Sequence, residues 1–489
     1  MKKLHRYSLL AVFVGSGASL AAHADPQVQM DKRDPTFDAG PVKITLGGFT
    51  ELAGIYRAHN EVADVGSSFY KIPFPGAASN FQNTPGATAG ANAQQYYEPE
   101  FRESARQSRF ALLAQYGDGA NKLEYYMETD FLSSGTTSNS NESNSYTLRM
   151  RHFYADWQRD DWYVLAGQTW SLATPFSSGL AVRKQYNPLT IDAQYVVGFN
   201  WARQAQLRLV KNFGKSVAMG LSLEEPQTAG ILTSNPAPAA GTGTSDPGDG
   251  SGLTNPSTKY SDDIAPDVIY KVAFEPGFGH YEVYSLTRFF HNRGRGNGDA
   301  ATDLKNHTTV AESIGASFLL PLVPKMVDFK VNGLWGRGNG RYGSGQLNDA
   351  TTNPGDGSLS ANWETQVMAG LEAHPTNRLD LYLYAGMEQQ KANWGNGGKA
   401  GVNAQCDLNP AIVTPTTPTT NLACSTNVGT ERMVAFGGWW KAYKGTLGNV
   451  QIGLEGSYLA NRTFTDATGN TGKTNDPMAF VSFRYYPFQ

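Results

Sequence analysis

Lys122-Leu123-Glu124-Tyr125-Tyr126-Met127-Glu128-Thr129-Asp130-Phe131 is the stretch whose reading decides the fold. Leu123, Tyr125, Met127, Thr129 and Phe131 share one face of an extended chain, and Lys122, Glu124, Tyr126, Glu128 and Asp130 share the other. A period of two residues is that of a β-strand whose faces meet different media, and no helical spacing accounts for it. The same alternation returns at Val327, Phe329 and Val331 against Asp328, Lys330 and Asn332. It recurs at Leu379, Leu381, Leu383, Ala385 and Met387 against Asp380, Tyr382, Tyr384 and Glu388.

Working outward, about sixteen such segments are expected, starting near Val42, Arg106, Lys122, Tyr146, Trp162, Ala202, Ser216, Ala265, Tyr281, Thr309, Val327, Trp363, Leu379, Arg432, Val450 and Pro477. Their connections alternate. Short turns at 117–120, 159–161, 212–215, 275–280, 321–325, 374–378 and 445–449 alternate with long polar loops at 58–105, 133–145, 171–201, 225–264, 291–308, 336–362, 390–430 and 460–476. Short turns on one rim and long loops on the other are the mark of a transmembrane barrel, and a soluble sandwich gives no reason for such segregation. The expected fold is all-β: a transmembrane antiparallel β-barrel of about 16 strands, with short periplasmic turns and long extracellular loops. Trp157, Trp162, Tyr163, Trp439 and Trp440 fall at strand ends, where interfacial aromatic girdles are placed.

Composition agrees. Among 489 residues only 17% are charged, 12% are aromatic and 53 are glycine, and mean hydropathy is −0.41. In a barrel wall the lipid-facing half of each strand is masked in any average by its polar neighbours. The net charge of −3 argues against a nucleic-acid partner. After residue 24 no apolar run approaches the ~18 residues of a membrane helix. Lys2, Lys3 and Arg6, the apolar run Leu9 to Leu20, and Ala22-His23-Ala24 read as a cleaved export signal over 1–24. A short periplasmic segment is then expected over 25–40, and the barrel over 41–489. Cys406 and Cys424 lie close together in a Thr-, Pro- and Asn-rich loop, where an oxidising compartment favours a disulfide. No His accompanies them for a metal site, no cofactor motif appears, and no nucleophile elbow or zinc-binding His pair marks an enzyme.

Four strings carry a resemblance: Arg106-Gln107-Ser108-Arg109-Phe110, Leu148-Arg149-Met150-Arg151-His152, Leu165-Ala166-Gly167-Gln168-Thr169-Trp170-Ser171 and Arg484-Tyr485-Tyr486-Pro487-Phe488. They resemble the DcaP-like porins, most densely from Arg106 to Arg208 and at the last strand. That resemblance implies a homotrimer of sixteen-stranded barrels in the outer membrane of a Gram-negative bacterium, taking up dicarboxylates and other small organic acids. Two departures stand out: residues 25–40 are too short and Pro-rich for the helical extension some members carry, and loop 58–105 is long. The terminal aromatic strand resembles the signal read by the barrel assembly machinery, except that Gln489 follows the last Phe. Outer-membrane lipids and small anionic solutes are the other expected partners.

In a pore of this width an inward-folding loop narrows the channel, and the third long loop, 171–201, is the candidate by position. Its charges are Arg183, Lys184 and Asp192, a net positive set that should draw anions. On the walls, parity puts Phe110, Leu148, Met150, Leu207 and Leu209 toward lipid, and so Arg109, Arg149, Arg151 and Arg208 toward the lumen. Arginine keeps its charge at any relevant pH, and its fork grips a carboxylate in two places. These side chains either guide anions or merely pair with Glu124, Glu128 and Asp130. Both readings are open at this point. Arg203 shares the parity of Ala205 and Leu207 and is expected on the lipid side unless a bulge intervenes. The alternatives to an organic-anion channel are a general or sugar-preferring pore and a plugged barrel that displays an enzyme or an adhesin.

Overall fold

The computed structural model describes residues 35–61, 63–74, 98–118, 121–133, 143, 145–229, 231–232, 261, 263–294, 305–352, 358–391, 428–465 and 471–488. The export signal and both cysteines lie outside the described residues.

Among the described residues sixteen antiparallel strands form one closed wall. They are β1 (Val42–Arg57), β2 (Glu100–Ser104 and, after a break, Arg109–Asp118), β3 (Asn121–Asp130), β4 (Arg149–Arg159), β5 (Trp162–Trp170), β6 (Arg203–Phe213), β7 (Val217–Glu224) and β8 (Asp267–Phe274). Then follow β9 (His280–Gly294), β10 (Lys305–Val323), β11 (Val327–Arg337), β12 (Trp363–Thr376), β13 (Leu379–Gln390), β14 (Val428–Gly445), β15 (Gly448–Thr465) and β16 (Thr471–Tyr486). Each pairs with the next, and β16 closes on β1, setting Tyr485 against Thr50 and Met478 against Arg57. Closure leaves no unpaired edge, the condition for crossing a bilayer with strands.

Parity assigns the faces as expected. Leu454 is 63% exposed, Phe436 58% and Leu209 41%, all pointing outward, whereas Arg208 between Leu207 and Leu209 is fully buried. An outward apolar coat over an inward polar face is what lipid outside and water inside require. Three parts of the sequence reading need correction. Thr36–Ala39, placed in a periplasmic segment, forms a short strand paired with Val42–Thr45. β9, β10, β14, β15 and β16 run beyond their expected ends, so the loops at 291–308, 390–430 and 460–476 are shorter than alternation suggested. Alternation fades there because a strand rising above the bilayer no longer has lipid on its outer face.

The third correction concerns the girdle. Trp157, Trp162 and Trp440 do face outward. Tyr163 and Trp439 are inside, at 6% and 3% exposure, because each is adjacent in sequence to an outward Trp and successive side chains of a strand oppose each other.

Candidate functional site: the lumen

The loop joining β5 to β6 folds into the barrel and is tied to its walls on nearly every side. Its two ends meet, with Ser171 N–H donating to Ala202 O at 2.8 Å. Leu172 N–H then donates to Glu224 Oε1 at 2.8 Å, Phe176 N–H to Glu282 Oε1 at 2.9 Å, and Gly179 N–H to Glu275 Oε1 at 2.5 Å. Glu275 lies in the β8–β9 turn, so the loop reaches down to the level of the short-turn rim. It crosses to the other wall through Arg183, which donates to Glu124 Oε2 at 2.6 Å and Tyr154 Oη at 3.0 Å. It returns along β12 to β15: Leu189 N–H donates to Tyr384 Oη at 2.8 Å, Ile191 N–H to Glu455, and Gly198 N–H to Glu388 Oε1 at 2.7 Å. Buried backbone groups outside regular structure need such partners, and the inward carboxylates supply them.

This explains Tyr163 and Trp439. Tyr163 Oη donates to Leu180 O at 2.5 Å and Trp439 Nε1 to Leu189 O at 2.7 Å. Both hold the inserted loop and have no place in a lipid girdle.

Two further loops share the lumen, which the sequence did not disclose. Val65, Phe69, Ile72 and Phe74 of the first long loop are at most 1% exposed, and Val65 O accepts from Ala193 N–H at 2.9 Å. Tyr342 of the sixth loop is fully buried, and its carbonyl accepts from Trp201 N–H at 2.9 Å. Burial also governs the loop acids. The Glu61 carboxyl is pushed up to about 8 by desolvation, against the pull of Arg57, and Asp192 is likewise raised by burial against Arg57.

The three loops fill the side of the lumen lined by β11 to β16. Glu364, Glu388 and Glu431 on that wall are at most 2% exposed. The opposite wall stays accessible. Side-chain exposure is 24% for Arg109, 26% for Lys122, 32% for Arg149 and, on the loop, 30% for Arg183.

The arginines expected on this wall are there, and each meets a carboxylate. Arg149 grips Asp130 with two bonds, at 2.8 and 2.7 Å. Arg151 bridges Glu128 and Asp130, and Arg109 stands 3.6 Å from Glu128. A β-bulge between Glu128 and Thr129 of β3, opposite Arg151 of β4, turns both Arg151 and His152 inward. Lys184 is exposed. Arg208 is elsewhere: fully buried, its guanidinium donates to Trp170 O at 2.5 Å beneath the loop, so it anchors the loop and does not face open lumen. Arg203, expected toward lipid, sits over the Trp170 and Trp201 rings at 4.7 and 5.3 Å. It is the first residue of β6 and forms the last pair of the β5–β6 ladder, with Trp170, and the indoles at the loop's base draw its side chain in. Among the described residues no group of three or more His, Cys, Asp or Glu is placed to hold a metal ion.

No family model and no curated protein matches this sequence. The fold does match solved structures. The outer membrane channel DcaP of Acinetobacter baumannii superposes with a TM-score of 0.59 at 16% identity, covering 92% of this chain and 99% of the other. The chain has the fold of an outer-membrane channel. More distant likenesses include an anion-selective porin from Comamonas acidovorans, at TM-score 0.47, 10% identity and coverage of 91% and 99%. OprB of Pseudomonas putida gives 0.45, 12%, and coverage of 90% and 94%. The structural likeness to DcaP agrees with the resemblance carried by the four sequence strings.

Proposed function

We propose that this protein is an outer-membrane porin that passes small anionic organic acids through a conduit between the inserted loop and the wall of β2 to β4. The observation that carries this reading is the charge left over on the accessible wall. Lys122, Arg109, Arg149, Arg151 and Arg183 are balanced by Glu124, Glu128 and Asp130 only in part, and Lys184 and Arg203 add to the excess. The neutralising carboxylates do not cancel the field. They hold each guanidinium at a fixed place, which suits repeated weak contacts with a passing anion. The acids of the opposite wall are covered by loops and present little charge to the conduit.

The test is the reversal potential of the refolded protein in a planar bilayer under a KCl gradient. Anion preference is expected, weakening when Arg149 and Lys184 are both replaced by Gln. Cation preference of the unaltered protein overturns the proposal. Absence of conductance would point to a barrel that the three loops plug.

A further inference from the structure

Among the described residues two inward arginines have no carboxylate within ion-pair distance: Arg208, held by Trp170 O beneath the loop, and Arg203. Among the described residues no carboxylate lies within ion-pair distance of it and no carbonyl accepts from it, and its buried Nη1 has no hydrogen-bond partner. Its guanidinium carbon lies 4.7 Å from the centre of the Trp170 ring and 5.3 Å from that of Trp201. Those rings are themselves fixed. Trp170 and Trp201 meet edge to face at 5.7 Å, Tyr195 packs on both, and Trp201 Nε1 donates to Ser344 Oγ at 3.0 Å.

The surroundings make an unpaired cation costly here. Arg151 also lies over Trp170, at 5.8 Å, and Arg149 is among the charges that act on Arg203. Arg109, Arg149, Arg151 and Arg203 therefore share two carboxylates, Glu128 and Asp130, both of which pair with the other arginines and neither with Arg203. An unpaired charge in a desolvated place is a standing penalty that a bound counter-ion removes. Contact with two indoles set at 74° to each other confines the guanidinium between them, and a confined planar donor edge suits a planar acceptor of two oxygens better than a spherical ion.

We infer that Arg203, steadied by Trp170 and Trp201, is a carboxylate-binding station in the conduit, at which a small organic acid pauses during passage. This rests on the anion-conducting reading and deepens it: a general field speeds every anion, whereas a station saturates and discriminates carboxylates from halides.

The experiment uses the full refolded protein in a planar bilayer, with succinate as the probe added to KCl. The expected result is a saturable reduction of chloride current by succinate, with an apparent affinity at least tenfold weaker in Arg203→Gln and also weakened in Arg203→Lys, which keeps the charge and loses the planar fork. Each variant is first checked for barrel formation by its heat-modifiable mobility. If Arg203→Gln does not fold, the unaltered protein still decides, through saturation by succinate against a linear response to added chloride. Anion selectivity in KCl without saturation by succinate overturns the station and leaves the porin reading standing. Saturation that survives unchanged in Arg203→Gln overturns the role of this residue. Cation selectivity of the unaltered protein refutes the porin reading itself.

Discussion

Replacing Gly198 with Ala tests whether the inserted loop sets the conduit. Gly198 has φ +86°, and a Cβ there would collide with the Val367 carbonyl oxygen and stand 2.6 Å from the Val367 carbonyl carbon and 3.0 Å from Met387 O. A non-glycine residue in this left-handed region costs about 1–2 kcal/mol. The clash is with backbone of β12 and β13, which sheet pairing holds in place, so the loop must yield. Yielding breaks the bond from Gly198 N–H to Glu388 (2.7 Å) and that from Asn332 Nδ2 to Gly198 O (2.8 Å). Each leaves a buried polar group unmet, at about 1–3 kcal/mol. The total, roughly 3–8 kcal/mol, opposes the docking of this segment and falls on no strand of the barrel. Gly179→Ala is the control in the same loop: φ is +49° but nothing lies within 4 Å of its Cβ, so only the strain of about 1–2 kcal/mol applies. Single-channel recordings should show a noisy, enlarged conductance for Gly198→Ala and near-native steps for Gly179→Ala. Quiet native steps from Gly198→Ala, in a folded barrel, would refute the idea that this contact fixes the pore.

Three other outcomes follow from the same geometry. Arg183→Gln removes the bridge to Glu124 (2.6 Å) and Tyr154 (3.0 Å) and with it one positive charge, leaving Glu124 to Lys122 and Gln115 alone, so anion preference should fall severalfold in reversal-potential measurements. Glu61 has its pKa raised to about 8 by burial, so its docked loop holds a proton that free carboxyls release. Loop docking is therefore firmest at acid pH and weakens as pH rises through about 8, which limited proteolysis in folded barrels should report, and Glu61→Gln should flatten the dependence. Leu454→Arg sets a charge on the lipid face of β15, at a position 63% exposed, and should lower stability in vesicles by about 2–4 kcal/mol in urea titrations. The neighbouring inward position Glu455 should instead report through the loop it holds at Ile191.

What the sequence disclosed and what it hid divide along one physical line. Parity is a property of the pleat, so it placed every barrel strand and sent Arg109, Arg149 and Arg151 inward, since each lies beside an apolar neighbour in contact with lipid. It misled at the last pair of a ladder, Trp170 with Arg203. Arg203 begins its strand, and its direction is chosen by Trp170 and Trp201, which no counting of neighbours reveals. The girdle erred for a related reason: Trp162 with Tyr163, and Trp439 with Trp440, are adjacent pairs, and only one of each pair can meet lipid.

The loops were hardest, because Val65, Phe69, Ile72 and Phe74 carry no period and show only that something apolar must be buried. A usable signal lay on the far wall. Glu364, Glu372, Glu388, Glu431 and Glu455 all fall on inward positions of β12 to β15, more carboxylates than an open wall needs merely to stay wet. Several are spoken for by loop atoms: Gly198 and Gly345 donate to Glu388, Asn339 donates to Glu364, and Tyr186 to Glu372. Inward acids on one arc of a barrel, opposite inward arginines on the other, thus have a structural reading before an electrostatic one. The acids catch the backbone donors of inserted loops, and by being covered they leave the field of the conduit to the arginines across from them. On the proposed reading, selectivity then depends less on the sum of lumen charge than on which sign the loops leave uncovered.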